Sequence, residues 1–369
     1  MTTIFKQVSA GYSRSLALLD DNRCWAWGNI GRTDAPASMA PWAAICGSGP
    51  LEIGHNRFAQ PLPQLLNPNT PYKFISDAIG ELMALDIHGR VDMVSTTTSL
   101  DSGAAYSPIS GIPGGMKQVC ANETASYALD ISGRVWSWGS NFQGQLGRQS
   151  DSVLNQTPAR IEVLPKITHL ATGKNHTLAL SDKGEVWAWG ANTAGQLGQG
   201  NLNSLTKPTR VLINAVIRAI AAGDTHSLAI DANGRLYAWG SNNLGQLGTV
   251  TSSKLAGYSA SPLRVQLGFK LKQVDAGMHY TIALSDQGEL YAWGWNGMGQ
   301  LGKSAVHSTN QAIKISDLKR VREISAGAFH ILALNERGLY AWGDNRNSAC
   351  GISSTQAEVV NRPNLITFT

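Results

Sequence analysis

Three histidines make the first chemical offer of this sequence. His176, His226 and His330 each stand three residues beyond a glycine, Gly173, Gly223 or Gly327. Imidazoles repeated at one position are the raw material of a metal ring or an array of general bases. Further copies of the pattern put Arg14, Glu81, Ala125 and Tyr280 in the same slot. A cation, a carboxylate, a methyl and a phenol share no ligand chemistry. The slot therefore argues against a metal site and for a hydrogen bond tying each loop to a nearby backbone carbonyl.

A second offer is the stretch GMGQLGKS at residues 297–304, which satisfies the phosphate-loop pattern GxxxxGK[ST]. A phosphate loop needs a strand before it and a helix after it, whose N-terminus holds the anion. Here the glycines belong to a GQLG segment that also occurs at 144–147, 195–198 and 245–248, where GQLGRQ, GQLGQG and GQLGTV follow no such pattern. Tight turns anchored by Leu146, Leu197, Leu247 and Leu301 are the expected use of these residues. No HExxH, GxSxG or paired-carboxylate motif occurs, and Asp20-Asp21 reads as a hairpin turn. Cys24, Cys46, Cys120 and Cys350 lie far apart with no CxxC pair, which points to reduced thiols. Neither a bond-making active site, nor a metal, nor a cofactor is expected.

What positions these residues is a repeat. The glycine of WxWG falls at 28, 139, 190, 240, 294 and 343, at intervals of about 50 residues apart from one double gap. An eroded copy at residues 78–95 fills that gap, with Asp92 and Val94 where tryptophans stand elsewhere, so seven units result. Within a unit, HTLALSD and EVWAWG alternate apolar and polar residues around a Gly turn, the mark of a β-hairpin. Four short strands per unit, repeated seven times, predict an all-β, seven-bladed propeller over residues 1–369. The tryptophans are expected to wedge between sheets. A Pro-led segment (TPARIEV at 157, KPTRVLI at 207, RPNLI at 362) is read as preceding each hairpin except the first. The ring is accordingly expected to close by pairing the C-terminal strand, residues 362–366, with the N-terminal blade, residues 4–28.

Composition agrees with a globular chain: 369 residues, 43% apolar and 15% charged, with 11 tryptophans. The net charge of +5 is dispersed, and no run of four basic residues occurs, so a nucleic-acid partner is not expected. No signal peptide, membrane span or prenylation box is seen, and a cytoplasmic protein is the expectation.

With HSLAIDANGRLYAWGSNNLGQLG beside AAGDTH at 221–226, the chain resembles the RCC1 (regulator of chromosome condensation) repeat family over residues 4–366. The resemblance implies an RCC1-type propeller and a protein partner. Family members act as guanine-nucleotide exchange factors, as inhibitors or as interaction platforms, and the founding member acts on the small GTPase Ran. Bacterial pathogens carry RCC1-repeat effectors aimed at host GTPases, a class this compact chain would suit, acting inside the host cell. In the exchange factors Asp and His residues of the inter-strand loops meet the GTPase. By that resemblance Asp224, His279 and His330 are the residues carried over. The founding member's basic N-terminal tail is absent, because Phe5 already opens the first unit.

The loops ahead of the hairpins are also where the repeats disagree most: Tyr12-Ser13-Arg14, Glu123-Thr124-Ala125, Lys174-Asn175-His176, Met278-His279-Tyr280 and Ala328-Phe329-His330. Such variation marks either a recognition face or drift in unconstrained loops. On the first reading Tyr12, Arg14, Glu123, Lys174, Asn175, Met278 and Phe329 join the candidate site. An irregular insertion at about 31–58, carrying Trp42, is read as a wedge or partner-binding loop, or as a loop folded on its own blade. A smaller excess carries Lys254, Leu255 and Tyr258.

Overall fold

The computed structural model describes residues 5–28, 60–66, 71–77, 81–95, 106–150, 154–249, 257–302 and 307–368. They form 28 strands, β1 to β28 in chain order, grouped in seven four-stranded antiparallel sheets. In every sheet the strand order follows the chain. The innermost strands, β1 (Phe5–Ala10), β5 (Tyr72–Asp77), β9 (Met116–Ala121), β13 (Ile167–Thr172), β17 (Ile217–Ala222), β21 (Leu271–Ala276) and β25 (Glu323–Ala326), touch one another in succession, and β25 touches β1. The sheets are thus the blades of a closed seven-bladed propeller. The second strand of a blade, such as β14 (His176–Ser181), is buried at all six positions because a neighbouring sheet covers each face. Even the eroded unit is a full blade, with β7 (Val91–Ser95) in the place of a WxWG strand.

The joint between blades explains the repeated motif. Trp239 is fully buried and donates its indole Nε1–H to the backbone carbonyl of Gln196, in the GQLG loop of the preceding blade, at 2.8 Å. Ser227 Oγ donates to the same carbonyl at 2.8 Å, and His176 Nε2 of the preceding blade lies 2.9 Å from that hydroxyl. Trp293 and Thr281 meet the Gln246 carbonyl in the same way, at 3.0 and 2.8 Å. Trp189 and Trp342 reach Gln145 and Gln300. The acceptor loop is held by an asparagine: Asn192, Asn242 and Asn296 accept the N–H of Leu197, Leu247 and Leu301 at 2.8–3.0 Å. Residues 297–302 are therefore a joint, with Gly299 and Gly302 at positive φ in a turn, and no helix follows among the described residues.

The histidines belong to this joint. His176, His226 and His330 bond the hydroxyls of Ser227, Thr281 and Ser15, and only His330 also makes the backbone bond that the sequence predicts, at Arg14. Each of the three histidines faces a hydroxyl of the next blade. Opposite Ile331 the slot is Tyr280, whose OH lies 2.9 and 2.8 Å from the carbonyls of Gly327 and His330 and shares its one hydrogen between them. Where the slot is Ala125, Tyr127 supplies the donor and its OH bonds the Gln145 carbonyl. The glycine before each histidine is required by close approach: a Cβ on Gly173 would collide with the His176 ring and the Gly223 carbonyl. Burial pushes the imidazoles of His176 and His226 down to about 3, so both sit neutral in the joint.

Ring closure differs from the expectation. The Pro-led strand is the fourth strand of its own blade. β4 (Gln60–Leu66) pairs with β3 (Cys24–Gly28), and the C-terminal β28 (Val359–Leu365) pairs with β27 (Gly338–Asp344) in blade seven. The long interval between β3 and β4 hides this order from the sequence. The ends do meet, through an ordinary joint: Trp27 Nε1 and Ser15 Oγ both donate to Ala349 O at 2.9 Å, and Phe368 packs edge-on against Trp25 and Trp27. Val8 N and Ala10 N donate to Glu323 Oε1 and Ser325 Oγ across the same seam.

Two expectations follow. Because the closing joint is built like the others, Trp27→Phe and Trp239→Phe should cost the same, about 1–3 kcal/mol each, in urea unfolding monitored by circular dichroism. Cys24, Cys120 and Cys350 are free and buried, which pushes all three thiols up, Cys120 to about 12. These three should resist a disulfide-exchange reagent in the native protein and react at once after unfolding.

Candidate protein-binding face at the channel mouth

In the six blades whose corners are described, the chain turns outward at the end of the inner strand through an Ala-Gly or related pair, and the residue after it is delivered to one mouth of the central channel. Tyr12, Glu123, Lys174, Asp224, Met278 and Ala328 line a common cavity of about 130 Å³ there, floored by the backbone of the preceding pairs. Backbone bonds knit this rim together: Glu123 N donates to Lys174 O, Lys174 N to Asp224 O, Met278 N to Ala328 O and Ala328 N to Gly11 O, at 3.0–3.2 Å. The loops that vary most between repeats are therefore gathered at one place by the parts that vary least.

The charges at this mouth interact. Lys174 Nζ lies 3.9 Å from Glu123 Oε2, and Asn175 Nδ2 donates to the same oxygen at 3.2 Å. Asp224 is pushed up to about 7, chiefly by burial and further by Glu123, against the pull of Lys174. Burial, then Asp224 and Glu123, raises the Tyr12 phenol. Burial, then Lys174, lowers His279. An aromatic strip borders the acidic part: Phe329 meets Tyr12 at 6.1 Å and Trp295 at 5.4 Å between ring centres, both edge-on.

Of the residues predicted from sequence, Tyr12, Glu123, Lys174, Asp224 and Met278 share the cavity, and Asn175, His279 and Phe329 are half-buried in the same corners. His330 and Arg14 do not belong with them. His330 is 1% exposed and bonded to Ser15 in the closing joint, and Arg14, 6% exposed, is buried in the first position of β2 (Arg14–Leu19). The slot that follows the variable pair points into the sheet and cannot reach a partner. Trp42 lies outside the described residues, as do Lys254 and Leu255, while Tyr258 opens the outer strand β20 (Tyr258–Val265). Sequence reasoning missed Trp295, although an aromatic directly after WxWG occurs in no other unit and was legible as an exception. It also missed Arg346, half-buried and paired with Asp344 at 2.8 Å beside Tyr12.

Asp224 makes a pH prediction. Its folded pKa lies above the ordinary carboxyl value, so its contribution to stability is complete below about pH 4 and is lost as pH rises through about 7. Asp224→Asn should therefore stabilise the protein at pH 8 by about 1–2 kcal/mol, a value reduced for partial solvent access. The gain should vanish below about pH 4. Thermal unfolding of both proteins across this range checks it.

The geometry agrees with what the chain is similar to. The family model described as the RCC1-like domain matches residues 44–369, and that of the regulator of chromosome condensation repeat matches residues 5–29. The ultraviolet-B receptor UVR8 of Arabidopsis thaliana is 30% identical over 94% of this chain and 79% of its own length. The RCC2 homolog of Xenopus laevis is 30% identical over 66% of this chain, which spans about half of that protein, 53%. Among solved structures, human WBSCR16 superposes with a TM-score of 0.77 at 24% identity over 94% of both chains. Prp20p of Saccharomyces cerevisiae gives 0.72 at 21% identity over 88% of this chain and 80% of its own. Seven blades, the indole-to-carbonyl joints and the matched models together make this chain a member of the RCC1-like domain family.

Proposed function

We propose that the channel mouth around Asp224 is a protein-recognition face for a small GTPase, and that binding there promotes nucleotide exchange. The observation that carries this reading is the convergence of the variable corner residues on one rigid mouth. There Tyr12, Met278, Phe329 and Trp295 supply apolar anchors around a polar core of Asp224, Glu123, Lys174 and His279. Aromatic anchors surrounding paired polar groups are what an interface hot spot requires. Prp20p, which shares the fold, was described together with its binding to Gsp1p and histones. Exchange involves no bond chemistry by the propeller. The face has only to bind the nucleotide-free GTPase more tightly than the loaded one, and nucleotide affinity then falls by the same factor.

The likeness to UVR8 supports a second reading. A protein named as a light receptor matches nearly the whole chain, so the same face can serve recognition without exchange.

Release of a fluorescent guanine nucleotide from purified Ran-, Rab- and Rho-type GTPases separates the two readings. Exchange predicts accelerated release from at least one of them. Asp224→Ala and His279→Ala should each slow that release about tenfold or more without loss of fold. Binding without acceleration would establish the recognition reading, and rates unchanged by both substitutions would place the interface elsewhere.

A further inference from the structure

The opposite mouth of the channel carries a pattern of its own. The second residue of the inner-strand segment is Lys6, Lys73, Lys117, Arg218, Lys272 or Arg322 in six blades and Thr168 in the fourth. In blades one to six the ladder skips this residue. The register jumps from Phe5 to Gln7, Tyr72 to Phe74, Met116 to Gln118, Ile167 to His169, Ile217 to Ala219 and Leu271 to Gln273. A bulge of this kind takes one residue out of pairing and re-aims its side chain. The residue after it can turn into the channel instead, as Gln7, Gln118 and Gln273 do when they donate to the backbone of the next inner strand at 2.7–2.9 Å.

In four consecutive blades the cations form a continuous arc. Arg218 Nη1 donates to Lys272 O at 3.1 Å, Lys272 Nζ to Arg322 O at 3.2 Å, and Arg322 Nη2 to Phe5 O, next to Lys6, at 3.2 Å. Lys6 Nζ donates to Asn22 Oδ1 at 3.0 Å. All these acceptors are neutral. Among the described residues none of the six cations has a carboxylate within 4.0 Å, whereas Lys166 and Arg320 outside the rim are paired with Asp182 and Glu336. Two carboxylates lie farther off: Glu323, which accepts Val8 N at 3.0 Å, is drawn to Arg322 and Lys272, and Asp130 acts on Lys117. Six like charges facing two carboxylates keep a net repulsion, and an anion relieves it.

We infer that this rim binds a compact polyanion, a soluble small molecule carrying several phosphates, on the channel axis and on the face opposite the Asp224 mouth. A ring of cations around one axis offers all its charges to a compact ligand and only a few of them to an extended one such as a nucleic-acid duplex. Each lysine that bonds one carbonyl keeps two further N–H donors, and arginine keeps a planar fork suited to phosphate.

Calorimetric titration of the full chain with inositol hexakisphosphate tests the assignment. The expected result is saturable one-to-one binding that weakens with added salt. Lys6→Gln combined with Lys272→Gln should weaken it about tenfold or more. Glutamine retains an N–H for the carbonyl but not the charge, so the melting temperature should hold. Lys6→Gln alone, which touches only Asn22, should show a smaller loss in the same direction if the double variant folds poorly. Lys207→Gln on the outer strand β16 (Leu205–Arg210) should change nothing. Absence of one-to-one binding, an equal loss in Lys207→Gln, or tighter binding of a short DNA duplex, a poly-glutamate peptide or phosphoinositide vesicles would each overturn the inference.

Discussion

Five of the joints between blades depend on one carbonyl each. In the GQLG loop, or its Ser-Ala-Cys-Gly counterpart at 348–351, a buried backbone oxygen faces the next blade and receives an indole N–H, with a hydroxyl as second donor where the sequence provides one. A buried carbonyl left unpaired would cost more than a paired one contributes. Among the described residues, blades three to seven are therefore each committed to their successor. The same constraint explains the glycines that let loops approach, the asparagines that hold the acceptor loop, and the histidines that orient the hydroxyl. It also explains closure: the seventh blade finds in Trp27 and Ser15 the partners that the fourth finds in Trp239 and Ser227 and the fifth in Trp293 and Thr281.

A frame held at its joints leaves the corners free. The residue after each Ala-Gly pair projects toward the axis, outside the carbonyl network, so its side chain can change without disturbing a joint. That freedom lets one mouth combine Tyr12, Glu123, Lys174, Asp224 and Met278. The other mouth is built differently. A bulge near the start of the inner strands sets aside one residue in each of blades one to six, five of them cationic, and Arg322 stands at the same position in blade seven. The two ends of one channel thus differ in charge and in variability. They are suited to different ligands, a protein surface at one end and a compact anion at the other.

Much of this was legible in the chain. Marker spacing and the alternating hairpins gave the blade count, and the recurrence of GQLG dissolved the apparent phosphate loop. The substituents at 14, 81, 125 and 280 removed the histidines from the list of metal ligands. The placement of the Pro-led strand was not legible. A segment midway between two hairpins can pair with either, and only hydrogen-bond register decides which. His330 and Asp224 likewise sit two residues apart in equivalent corners of blades seven and five. One faces a joint and the other the channel, a difference that a loop of unknown turn geometry does not reveal.

The sequence by itself determined the fold, the number of blades and which residues are free to vary, because a repeat exposes its constraints by comparison with itself. Tertiary structure alone decided which free residues meet. Lys174 and Asp224 are 50 residues apart in the chain, and Tyr12 and Phe329 lie near opposite ends of it, yet closure of the ring brings each pair to one mouth. The arc from Arg218 through Lys272 and Arg322 to Lys6 exists for the same reason. Curvature converts a periodic position along the chain into a neighbourhood in space, and the closing joint at Ala349 completes it.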